Sequence, residues 1–228
     1  MPIILLLLIL SLFFPFLFLP ILVFFLPFYL FFGSLFFVFA APMQLIEIFF
    51  KKGVRKNHSL EHATANVLEE HFGPLNISGY AKEDGFYLMG ELPSYQVILD
   101  AAQIGLQRLK RGERDLAIHP RCGTSIVAAN LLFSITFLLG LFATGFLSPI
   151  NIIGAIVVAH ILGRPFGRVL QRYVTTTPDV QDVEILGILG EGPRFDIFGF
   201  FILSPDRVFI KTRRVRIKRV STHEALYP

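Results

Sequence analysis

Cysteine occurs once in these 228 residues and tryptophan not at all. A lone thiol, Cys122, excludes any intramolecular disulfide, so stability must come from packing or from a metal. Charge is scarce as well. Asp, Glu, Lys and Arg make up 17% of the chain, where soluble domains hold about a quarter. Two stretches have no charged side chain: Met1 to Ile46, and Cys122 to Gly163. Each is long enough for two bilayer crossings at about 20 residues apiece. These deficits exclude an intrinsically disordered chain, a secreted disulfide scaffold and a freely soluble enzyme. What fills the space is apolar: 54% of residues are hydrophobic and the mean hydropathy is +0.63. The composition is that of an α-helical integral membrane protein.

The first uncharged stretch lies within residues 1–50, which hold 14 of the 26 phenylalanines. Pro15, Pro20 and Pro27 would interrupt one long helix. The pattern predicts a transmembrane hairpin with helices from Pro2 to Phe25 and from Pro27 to Phe50, Pro27 sitting in the first turn of the second. Val38-Phe39-Ala40 loosely fits a signal-peptide cleavage site, but there is no basic n-region and the apolar stretch is far too long. Residues 122–170 form a second hairpin, with helices near 124–147 and 150–170 joined at Ser148-Pro149-Ile150-Asn151. Four crossings in two hairpins result.

Basic residues flank these segments: Lys51, Lys52, Arg55 and Lys56, then Arg121, then Arg164, Arg168 and Arg172. The positive-inside rule puts all three flanks in the cytoplasm. The expected arrangement is an integral membrane protein with its soluble parts on the cytoplasmic side.

Residues 51–121 read as a small α+β domain. Asn57 is a plausible N-cap for a helix to His71, closed by Gly73-Pro74. Lys82-Glu83-Asp84-Gly85 between Ile77–Ala81 and Phe86–Glu91 is a hairpin signal. Ser94 can cap a second helix from Tyr95 to Arg111, and Leu116 to His119 reads as extended. The tail, 171–228, reads as β-rich: Val183–Ile185, Phe198–Leu203 and an alternating Arg207–Val220. It also carries the charge excess. Residues 164–228 hold eleven Lys/Arg against seven Asp/Glu, while residues 1–163 hold ten of each.

The sharpest chemical feature is His58-Ser59-Leu60-Glu61-His62. On a helix the imidazoles stand one turn apart on one face, the spacing that lets both hold one metal. Glu61 borders that face. Zinc lowers the pKa of a bound water from 15.7 to about 7, and a neighbouring carboxylate then serves as general base. The H-x-x-E-H order is that of inverzincin metallopeptidases. A plain surface helix with solvated histidines would show the same five residues. A catalytic zinc takes three protein ligands, and the sequence leaves the third open. His119 and Cys122 come first, Glu91 and Glu113 next. If His58, His62, His119 and Cys122 all bind, the site is closed and structural. A thiol–imidazole dyad of Cys122 with His119 or His62 is a further alternative. His71 suits the end of its helix, and His160, within a turn of Arg164, reads as interfacial.

In the tail, Arg207, Lys211, Arg213, Arg214, Arg216, Lys218 and Arg219 form a cationic run. With Phe209 as its lone aromatic it is a thin stacking platform, so nucleic acid is not expected. Anionic lipid headgroups are the expected partner of Arg207–Arg219, at about 1 kcal/mol per cation near the surface.

Asn57-His58-Ser59-Leu60-Glu61-His62-Ala63, Arg108-Leu109 with Gly112-Glu113, Leu116-Ala117 with His119-Pro120-Arg121-Cys122-Gly123-Thr124, and Gln171-Arg172-Tyr173-Val174-Thr175-Thr176 resemble a family of uncharacterised bacterial membrane proteins. The resemblance spans roughly residues 55–185 and implies membership of a domain family without an assigned activity. The expectation from the residues is a membrane-anchored, Zn2+-dependent hydrolase, a peptidase acting on membrane-protein loops or termini at the cytoplasmic face. Glu61 would be its base, and His58, His62, His119 and Cys122 its metal ligands or candidates. The alternative is a structural or accessory membrane protein with a closed metal site.

Overall fold

A computed structural model describes residues 15–191 and 207–215. The chain forms two compact units. One contains the residues up to Gln44 with Ile126–Gly167; the other contains Leu45–Ser125 with the residues from Arg168 onward.

The first unit is helical. It comprises most of α1 (Pro15–Phe50), α4 (Gly123–Thr144) and α5 (Pro149–Leu170). Three helices among the described residues are long and apolar enough to cross a membrane: Phe24–Phe50, Gly123–Thr144 and Pro149–Thr175. Phe137, Leu138 and Ala155 are buried, with Leu30, Phe31 and Val38 of α1 packed against them. Gly163 lies so close to Ala129 that a Cβ there would be 2.7 Å from the alanine methyl. Such small-residue contacts let membrane helices approach closely. Phe28, Phe32, Phe36, Phe39 and Phe142 remain exposed on the outside, as a surface facing lipid requires.

The first stretch departs from the expected hairpin. No turn interrupts it between Phe25 and Pro27, because α1 continues from Pro15 through Pro20, Pro27 and Pro42 to Phe50. Each proline removes one backbone bond, whereas in an apolar medium a turn would leave several groups unpaired. The proposed helix from Pro2 lies partly outside the described residues. The second pair of helices forms, but its turn lies at residues 145–148, three residues before the expected Ser148-Pro149-Ile150-Asn151, and Pro149 opens α5.

The second unit is built on a four-stranded antiparallel sheet in the order β1-β2-β4-β3. Its strands are β1 (Ile77–Lys82), β2 (Gly85–Gly90), β3 (Val183–Glu191) and β4 (Arg207–Arg214). Helices α2 (Lys52–Phe72) and α3 (Tyr95–Lys110) contribute the other half of the core. Leu60, Leu68, Phe86, Leu88, Ile98 and Ile210 are all fully buried there. Gly105 permits α3 to press against Ala63 of α2, where a Cβ would sit 3.0 Å from the alanine methyl. The described part of the tail thus completes the sheet begun by residues 77–90, rather than standing apart behind a boundary at residue 170. The Phe198–Leu203 strand and the end of the alternating run lie outside the described residues.

Two local expectations change. Helix α2 starts at Lys52, five residues before Asn57. Asn57 is buried instead, donating from Nδ2 to the Lys82 and Glu83 carbonyls at 2.7 and 3.2 Å. Its Oδ1 accepts from Thr212 Oγ1 at 2.8 Å. Of the expected extended segment Leu116–His119, Leu116 and Ala117 lie instead in a 3-10 turn, Arg114–Ala117, while Ile118 has extended backbone.

Candidate metal centre

The i, i+4 spacing on α2 brings the His58 and His62 rings to 4.3 Å between centroids. Cys122, one residue before α4, puts its Sγ 3.4 Å from His58 Nε2. Ligand atoms of His58, His62 and Cys122 all lie within 4.8 Å of one another. This group can hold a metal ion.

Backbone carbonyls orient both imidazoles. His58 Nδ1 lies 3.0 Å from the Thr175 carbonyl, and His62 Nδ1 lies 2.8 Å from that of Ala117. A carbonyl only accepts, so each Nδ1 carries the proton and each Nε2 presents its lone pair. Metal-binding histidines are fixed in this manner. His62 Nε2 and Glu61 Oε2 are buried without a hydrogen-bond partner, a costly arrangement that a cation would relieve. Thr124 steadies the sulfur: its N–H reaches Cys122 Sγ at 3.4 Å, and its Oγ1 meets Thr175 Oγ1 at 3.3 Å.

Thr175 lies in a π-helical turn, Gln171–Thr175, that follows α5. Helix α2 holds this segment with consecutive turns of side chains. Arg55 donates to the Thr176 and Tyr173 carbonyls at 2.9 and 3.2 Å. Ser59 Oγ donates to the Thr177 carbonyl at 2.7 Å and accepts from the Thr177 N–H at 2.9 Å.

Burial dominates the electrostatics. It lowers the affinity of His58 and His62 for a proton, and His58 opposes protonation of His62 further. The same desolvation pushes the Glu61 carboxyl up to about 8 and raises the Cys122 thiol. Glu61 Oε2 and His58 Nε2 lie 3.9 Å apart, and burial works against the charged form of each. Gly79 of β1 covers the carboxylate. A Cβ there would sit 2.8 Å from Glu61 Oε1 and 2.4 Å from the Tyr87 carbonyl oxygen, so only glycine fits.

His119 lies outside the three-ligand group. Its Nε2 is 3.5 Å from Glu69 Oε2, Glu69 also pairs with Arg121, and its ring is 6.0 Å from that of His62. Its backbone N–H donates to Gln171 Oε1 at 2.9 Å. Glu113 bonds Arg108 at 2.8 Å and Glu91 is exposed; neither joins the group. The imidazole in hydrogen-bonding contact with the Cys122 sulfur is that of His58. His71 turns back to the Val67 carbonyl at 2.9 Å, and His160 is exposed on α5. A cleft of about 1170 Å3 lies behind the 116–118 segment, lined by Glu69, Arg108, Asp115, Ala117 and Arg172 among others. None of the three ligands lines it.

Sequence reasoning missed Gly79, Thr124, Thr175 and the Ala117 carbonyl as parts of the site. Thr124 and Thr175 stood within the segments that carried the family resemblance, so position was available but role was not. In the tail, Arg213 pairs with Glu184 at 2.9 Å and Arg214 with Glu83 at 3.6 Å. Lys211 is exposed, and Arg216, Lys218 and Arg219 lie outside the described residues.

No solved structure matches the chain. An uncharacterised protein of Picosynechococcus sp. is 39% identical over 90 residues, covering 35% of this chain and 42% of that protein. The match thus spans under half the length of that relative. Residues 53–188 match the profile of a domain of unknown function, DUF6391, over more than half of the chain. They include the α2 histidines, Cys122 and the π-turn, and this chain belongs to that family.

Proposed function

We propose that this chain is a membrane-anchored, zinc-dependent hydrolase, a peptidase at the cytoplasmic face of the bacterial inner membrane. The observation that carries the proposal is the convergence of His58, His62 and Cys122 beside a buried carboxyl, Glu61, whose Oε2 has no partner. Two imidazoles and one thiolate suit zinc and leave a fourth position open, as catalytic sites do. Zinc held by His58, His62 and Cys122 would supply Lewis acidity there, to polarise a carbonyl and acidify a water. The chain does the rest. The Ala117 and Thr175 carbonyls keep both Nε2 lone pairs aimed inward, and the Thr124 N–H offsets charge on the sulfur. Glu61 takes the proton of the attacking water and returns it to the leaving nitrogen. Anchoring by the apolar helices suits membrane-protein loops or termini as substrates. The basic flanks at residues 51–56, 121 and 164–172 favour the cytoplasmic side. They also favour contact with anionic headgroups, as does the exposed Lys211.

Metal analysis and casein hydrolysis by purified wild type, Glu61→Gln and His62→Ala test this reading. Glu61→Gln keeps zinc and loses hydrolysis by about 100-fold or more, whereas His62→Ala loses both. Equal zinc in all three proteins would remove the proposed coordination. Burial of His62, Cys122 and Glu61, with His58 only partly exposed, favours one other reading, a structural site closed by Glu61. In that case Glu61→Gln loses zinc as well.

A further inference from the structure

Strand β1 is an edge strand: among the described residues it pairs with β2 alone. The two-residue turn Glu83-Asp84 fixes which of its groups are used. Lys82 and Gly85 face each other across that turn, and the register continues through Tyr80↔Tyr87 and Ser78↔Met89. The Glu91 N–H donates to the Asn76 carbonyl at 3.3 Å, so the same alternation holds at the far end. Residues 76, 78, 80 and 82 thus direct their backbone groups to β2, which leaves those of Ile77, Gly79 and Ala81 pointing to the open edge. The middle one of these, Gly79, is the residue against which the Glu61 carboxylate packs. The opposite oxygen of that carboxylate is 3.9 Å from His58 Nε2. One side chain therefore links the open edge to the metal centre.

We infer that the free edge of β1 is the binding site for an extended polypeptide, which adds as a fifth strand on Ile77, Gly79 and Ala81. A peptide in that position presents alternating N–H and C=O groups to the strand's own. Recognition is then through the backbone, and the substrate class is an unfolded segment of little sequence preference. The missing side chain at Gly79 lets Glu61 pack directly against the strand that would pair with the substrate. This deepens the hydrolase reading and rests on it for its role, but its test reads binding.

The probe is fluorescein-labelled β-casein, an unfolded chain, titrated into full-length zinc-loaded Glu61→Gln protein and followed by anisotropy. Ala81→Pro on that background removes one outward N–H and leaves the bonds to β2 intact. It should weaken casein binding at least tenfold at unchanged zinc content. Hydrogen exchange on the Glu61→Gln protein, without the proline, gives the second readout. Casein should slow exchange of the Ile77, Gly79 and Ala81 amides at least tenfold, while amides of the β3 edge stay as they were. Unchanged casein affinity in a zinc-loaded Ala81→Pro protein would overturn the inference. So would unprotected amides, absence of casein binding, or protection already present in a dimer of twice the mass. If Glu61→Gln leaves hydrolysis intact but casein still protects β1, the hydrolase assignment fails and the strand-addition site stands.

Discussion

His58, Glu61 and His62 are held in a desolvated pocket, and their proton affinities make a prediction for the chelated protein. Glu61 is protonated when folded up to about pH 8, while in the unfolded chain it loses its proton near 4.5. Its contribution to stability is full below pH 4.5 and declines as pH rises to about 8. The histidines, lowered by burial, act in the opposite sense. The unfolded chain protonates them below about pH 6.5, so stability falls as pH drops under that value. Together these groups give a maximum between pH 4.5 and about 8. Thermal unfolding in detergent with chelator should show it, and Glu61→Gln should flatten the alkaline limb. Thr124 makes a second prediction. Thr124→Val removes the hydroxyl that ties the Cys122 segment to Thr175 and should weaken zinc binding about tenfold, measured by competition with a chromogenic chelator. The helical spacing made the α2 pair legible from sequence alone. His119 was not legible as an outsider. Its distance from Cys122 along the chain is short, but the 3-10 turn sends the Ala117 carbonyl to His62 and leaves the His119 ring beside Glu69.

Elements were readable where local chemistry settles them. Lys82-Glu83-Asp84-Gly85 marked the β1–β2 hairpin, and of the expected Ser148–Asn151 turn only Ser148 lies between α4 and α5, Pro149 opening the second helix. Asn57 misled because a good capping residue served a distant purpose. Its amide bridges the hairpin turn and Thr212, contacts 25 and 155 residues away in sequence. Asn57→Ala should therefore cost about 2 kcal/mol, the penalty for stranding buried hydrogen-bonding groups, seen as a lower unfolding midpoint. The prolines of α1 misled for a different reason. Rules for helix breaking come from water, where a broken backbone bond can be satisfied by solvent; among apolar surroundings the helix persists.

Across the whole molecule, the sheet order could not be read in advance, because pairing of β4 with β2 joins segments separated by two apolar helices. That pairing places residues 77–90 and 207–214 on one side of any membrane the hairpin α4–α5 crosses. Single cysteines replacing Lys82 and Lys211, in a Cys122→Ala background, should react with an impermeant maleimide under identical conditions. In spheroplasts both should be shielded until lysis; opposite behaviour would contradict the shared sheet.

The position of β4 between β2 and β3 also sets a timetable for biosynthesis. β2 ends at Gly90 and β4 begins at Arg207, an interval of 117 residues. At roughly 5–20 residues per second, a ribosome needs on the order of 6–23 s to cover it. Throughout that interval the emerging hairpin has one flank of β2 bare, and α4 and α5 must both leave the ribosome before it can be covered. Translation stalled in this window would yield a chain lacking the strand that joins its two sheet halves, a natural substrate for quality control.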